Sequence, residues 1–83
     1  MNNEASILAQ QFGMLIRQRR KAAGMQQAEL ALVSGTGVRF IVNLEAGKPT
    51  CQLGKALAVA SALGITLSAA APPDVTPAVP DFP

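Results

Sequence analysis

The sequence predicts a mainly α domain of four to five helices closed by one short C-terminal β-strand, spanning residues 1–70 and followed by a Pro-rich tail over 71–83. Three observations predict it. Apolar residues recur at three- and four-residue intervals in successive segments, which is the spacing of one helix face. Gly24, Gly35, Gly47 and Gly64 fall where those segments stop. Five of the six prolines lie from Pro72 onward, where neither a helix interior nor a sheet interior accepts them.

Ser6 is the expected N-cap of the first helix. Leu8, Phe12, Leu15 and Ile16 follow at i, i+4, i+7 and i+8 on one face, and Gly24 ends the helix after its basic run RQRRK. A second, short helix is expected from Gln27 to Ser34, with Met25 as a hydrophobic staple and Gly35 just beyond its end. The third covers residues 37–46. Phe40, Ile41 and Leu44 form its apolar face, Thr36 or Gly37 caps its start, and Gly47 and Pro49 stop it. Thr50 is the expected cap of a fourth helix, in which Leu53, Ala56, Leu57, Ala60 and Leu63 share a face. The opposite side of that helix, with Ala58, Val59 and Ala62, is also apolar, which is more than one small core can use, so a second subunit is expected to cover part of it. The run ITLSA at 65–69 is too short for a helix, and Ile65, Thr66 and Leu67 favour extended structure. A lone strand leaves its edges unpaired, so pairing with its twin across a two-fold axis is expected.

Composition narrows the function. A core of this size rarely supplies more than about 3–5 kcal/mol unaided. The single Cys51 makes no internal bridge, so self-association as a homodimer is the expected stabiliser and a reducing cytoplasm the expected setting. No apolar run reaches about 18 residues and the N-terminus lacks a signal-peptide pattern, so a soluble, unprocessed protein away from the membrane is expected. All seven basic residues lie between Arg17 and Lys55, offset there only by Glu29 and Glu45; seven against two leaves a net charge of +5 on that segment. Such a charge points to a polyanionic partner. The chain has no His, no glycine-rich phosphate loop after a strand, no metal-ligand spacing and no paired carboxylates suited to a pocket. No enzyme activity, metal or cofactor is therefore expected. Cys51, with no histidine to activate it, reads as a structural thiol.

Two short helices joined by SGTG and packed on a longer one make the layout of a helix-turn-helix domain, whose second helix enters the major groove. With Phe40, Ile41 and Leu44 turned to the core, the outward face of that helix is Val38, Arg39, Val42 and Asn43. Arg pairs with guanine, Asn with adenine, and Val meets a thymine methyl, so this mixed face suits base edges. Arg17, Gln27 and Lys48 are the candidates for phosphate contacts, Gln27 by its place at a helix N-terminus.

The run MQQAELALVSGTGVRFIVNLEAGKPT resembles the Xre/Cro-type, lambda-repressor-like helix-turn-helix family in Gln27, Glu29, Leu30, Ala31, Gly35, Ile41, Leu44, Glu45 and Gly47. More narrowly, LIRQRRKAAG, LEAGKPT and LGKALAVASALGITL resemble the short HipB-like antitoxins that sit beside HipA-type kinase toxins. The resemblance covers residues 12–67. It implies a dimeric repressor that binds double-stranded operator DNA and restrains a HipA-like kinase toxin, with Gln27 on phosphate and Arg20 paired to Glu45 as a structural ion pair. Gln26 departs from the family in standing where a Ser or Thr cap is usual. Two other readings stay open: a stand-alone or phage-type regulator with no toxin, and a helical protein-interaction module that does not bind DNA.

Overall fold

The computed structural model describes residues 3–73. It contains four helices, α1 (Glu4–Ala22), α2 (Gln27–Ser34), α3 (Val38–Glu45) and α4 (Leu53–Ala62). α1 packs on α3, and α2 packs on both α3 and α4. Their shared core is Ile16 of α1, Leu30 and Ala31 of α2, Ile41 and Leu44 of α3, and Ala56, Val59 and Ala60 of α4, with Phe12, Met25, Phe40, Cys51, Leu63 and Ile65 packed against it.

Helix starts differ from expectation by one turn or less. Asn3 caps α1, its side-chain oxygen accepting the backbone N–H of Ser6 at 2.8 Å. Ser6 therefore lies inside the first turn, where its own amide needs the cap. At α2, the backbone N–H of Gln26 donates to the side chain of Glu29 at 3.0 Å, so the acid three residues in supplies part of what the missing Ser or Thr would have done. α4 begins after Gln52, beyond the Thr50 expected to cap it. The stops fall at the predicted glycines. At the end of α3, Gly47 takes φ +85°, and the N–H of Lys48 returns to the carbonyl of Asn43 at 3.0 Å. A side chain would strain that left-handed position, which closes the helix by satisfying its last carbonyls.

Two faces are rotated from expectation. In α1, Ile16 is buried and Phe12 half-buried, but Leu8 and Leu15 are exposed. In α4 the core face is Ala56, Val59 and Ala60, so Val59 is inside while Leu53 is 73% exposed and Leu57 41%. Ala56 and Ala60 flank Val59 on the stripe that joins the core, and the bulkier leucines Leu53 and Leu57 take the exposed side. Among the described residues there is no strand. Ile65, Thr66 and Leu67 follow α4 with no pairing partner among the described residues, Ile65 half-buried and Leu67 exposed. No described helix is long and apolar enough to cross a membrane. The Pro-rich tail lies outside the described residues from Asp74 onward.

Candidate nucleic-acid interface

α3 is held from behind by three kinds of contact. Ile41 and Leu44 are in the core. Next, α1 meets the end of α3 backbone to backbone: a Cβ on Gly13 would overlap the carbonyl oxygen of Leu44 and lie 2.9 Å from that of Glu45. Gly47 in turn faces Gln10 so closely that a Cβ there would sit 2.9 Å from its Cα.

The third contact is ionic. Arg20, at the end of α1, donates from Nε to Glu45 Oε2 at 2.6 Å and from Nη2 to Glu45 Oε1 at 3.0 Å. Its Nη1 donates to the carbonyl of Met25 at 2.9 Å, tying the α1–α2 turn to the same point. The two side chains are 10% and 4% exposed. The hydrogen bonds to Glu45, helped by its charge and opposed by burial, hold the Arg20 pKa above its ordinary value. A two-pronged guanidinium–carboxylate pair fixes orientation as well as distance, so α3 keeps one rotation relative to α1.

With that side anchored, the outward face of α3 is defined. Val38 and Arg39 are exposed, and Val42 and Asn43 are half-buried. Val42 opens onto a depression lined also by Arg17, Gln27 and Glu45. Asn43 opens onto a separate depression lined also by Phe40, Lys48, Thr50, Gln52 and Lys55. Cations thus stand on both flanks, Arg17 beside Val42 and Lys48 with Lys55 beside Asn43. Among the described residues the one ion pair is Arg20–Glu45, which leaves Arg17, Arg39, Lys48 and Lys55 unpaired.

Gln27 is placed at the first residue of α2, with its side-chain amide donating to Glu45 Oε1 at 3.2 Å. An amide nitrogen carries two hydrogens, so a second donor remains beside Arg17.

A helix-turn-helix family model matches residues 16–69, from the middle of α1 through the run ITLSA. The chain belongs to the helix-turn-helix family. It is also 53% identical over 61 residues to a protein of Sinorhizobium fredii (strain NBRC 101917 / NGR234) described as an uncharacterized HTH-type transcriptional regulator, y4mF, with 74% of this chain and 80% of that protein covered. In this helix-turn-helix chain, α2 and α3 are the paired helices of the motif, and Gly35–Gly37 is the turn between them.

Two contributors escaped the sequence reading. An isolated glycine within a helical pattern, such as Gly13, weakens the helix and so hints at a packing reason for its presence. Lys55 had no signal of its own, because its place beside α3 depends on how α4 crosses. Ala9 and Phe12 of α1, Leu53 and Leu57 of α4, and Leu67 line an apolar cleft of about 280 Å³, which shares Lys48 and Cys51 with the depression beside Asn43. Cys51, a free thiol, is half-buried at its edge. No group of three or more described His, Cys, Asp or Glu residues is arranged to hold a metal ion.

Proposed function

We propose that this protein is a cytoplasmic, sequence-specific DNA-binding transcriptional repressor that acts as a homodimer and as the antitoxin of a HipA-like Ser/Thr kinase. One observation carries the DNA reading. The outward face of α3, Val38, Arg39, Val42 and Asn43, combines base-reading chemistry with unpaired cations on both flanks, while its inner face is locked to the core. Arg39 and Asn43 hydrogen-bond base edges, Val38 and Val42 meet thymine methyls, and Arg17, Gln27 and Lys48 hold phosphates. Each good two-pronged base contact discriminates by about 1–3 kcal/mol. The S. fredii relative, described as a transcriptional regulator, supports this reading.

Support for the dimer comes from the exposed leucines. Leu53, Leu57 and Leu67 ring the apolar cleft, and Leu8 and Leu15 are exposed on α1. Ile65, Thr66 and Leu67 of two chains pair as an antiparallel ribbon across the two-fold axis and cover that surface. The two α3 helices then address half-sites about 34 Å apart on a pseudo-palindrome. The antitoxin role rests on the resemblance of the LEAGKPT and LGKALAVASALGITL segments to HipB-like proteins. It is tested by mixing the protein with a HipA-like kinase encoded beside it: stable co-elution and loss of kinase activity are expected, and indifference of the kinase leaves a stand-alone regulator.

The DNA reading is tested by titrating the protein's own upstream region at two salt concentrations. Steep salt dependence and preference for one palindromic site are expected. Weak binding, indifferent to sequence and salt, would instead favour a protein-interaction module, for which Leu32 and Val33, both exposed on α2, would be the contact surface.

A further inference from the structure

Lys55 lies in the first turn of α4, exposed, with its Nζ 5.9 Å from the centroid of the Phe40 ring. Phe40 belongs to α3 and packs on the core, so the ring is a fixed platform. A cation over a ring face at this distance is attracted by the ring's π-cloud, which limits the wandering of a long, flexible side chain. The ring offers no hydrogen-bond acceptor of the usual kind, so the three ammonium donors remain available.

The surroundings of Lys55 lack negative charge. The depression it lines with Asn43, Lys48, Thr50 and Gln52 contains no carboxylate, and no described acid is within salt-bridge distance of either lysine. Two ammonium groups lining a polar hollow, without a counter-charge, favour an anion. The hollow opens beside Asn43, on the flank of α3 away from the Arg17 depression. A helix lying in a major groove about 12 Å wide has a phosphate wall on each side. Arg17 supplies a cation for one wall only.

We infer that Lys55, held over Phe40, contacts a backbone phosphate of the operator and forms with Lys48 a clamp on one strand, opposite the strand met by Arg17. The inference rests on the DNA-binding reading and adds a contact to it. Lys55 carries position and no sequence information, since a phosphate is the same under every base.

The test is a titration of Lys55→Gln, Lys55→Arg and the unmodified protein against operator and scrambled duplexes, from 50 to 200 mM salt, at a temperature where all three are folded. Loss of one phosphate contact lowers the salt slope by about 0.9. The affinity advantage of the unmodified protein over Lys55→Gln should therefore shrink by about 3.5-fold across that salt range. The loss should be the same for both duplexes, and Lys55→Arg should keep the unmodified slope. A lysine that merely covers the Phe40 ring would alter the melting temperature and leave the slope alone, so equal slopes for Lys55→Gln and a steeply salt-dependent unmodified protein overturn the inference while the DNA reading stands. A weakening confined to the operator would make Lys55 a base-reading residue and also overturn it. A flat slope for the unmodified protein removes both the clamp and the DNA reading.

Discussion

Glu45→Ala tests how α3 is anchored. The substitution removes the acceptor of Arg20 Nε and Nη2 and of the Gln27 amide, and leaves Arg20 only the carbonyl of Met25 through Nη1. Stranding one member of a buried pair costs about 3–5 kcal/mol. The retained bond to Met25 and the pair's place on the wall of the depression beside Val42 put this case near the lower end, about 3 kcal/mol. For a domain of 60–100 residues each kcal/mol moves Tm by about 4–8 °C, so a fall of about 12–24 °C is expected. Circular dichroism melts at one fixed protein concentration check it, because association makes Tm depend on concentration. Below the melt, the ratio of operator to scrambled-DNA affinity should be unchanged. An unchanged Tm with DNA binding abolished would refute the reasoning and place Glu45 at the DNA. Replacing both partners, Arg20→Met with Glu45→Leu, should recover most of the lost stability, because no uncompensated charge remains. The pH dependence follows in sign. Arg20 has a raised pKa in the folded state, so its stabilisation is complete below the unfolded value and is lost only in strongly alkaline solution. Its contribution should therefore stay unchanged through neutral and mildly alkaline pH.

The remaining predictions concern packing, readout and association. Gly13→Ala should lower stability by about 1–3 kcal/mol in urea unfolding, since the new methyl meets backbone carbonyls of α3 that cannot rotate aside. Arg39→Ala should weaken operator binding by about 1–3 kcal/mol and barely change binding to scrambled DNA; equal losses on both would make Arg39 a phosphate contact. Leu67→Asp, at a side chain 49% exposed in the single chain, should leave the helical content intact and shift sedimentation from dimer to monomer, with operator affinity falling alongside. A dimer that survives it would move the association surface away from the 65–67 segment.

The order of elements was legible because local signals carry it. Glycines at the stops, a basic end to α1 and the three-and-four spacing of Phe40, Ile41 and Leu44 need no partner to be read. The outward set Val38, Arg39, Val42 and Asn43 followed by subtraction once the inner face was known. Starts were less legible, since Asn3 and Ser6 are both capping residue types and only the backbone direction chooses between them, while α4 starts after Gln52, whose side chain makes no capping bond. The apolar face of α4 misled because nearly every position is apolar, so spacing alone did not choose between the leucine flank and the Val59 stripe.

By itself the sequence indicated a mainly α domain of four to five helices, where the four helices found here stop, and that α3 carries a mixed polar and aliphatic face on a basic body; the strand it suggested at 65–67 is not among the described elements. These are properties of neighbours in the chain and of charge that burial does not hide. Tertiary structure alone decided which neighbours those faces meet. It brought the backbone of Gly13 against Leu44 and Glu45, turned Val59 inward, and set Lys55 over Phe40. Each depends on the crossing of two helices distant in sequence, and close packing of the whole core sets that crossing.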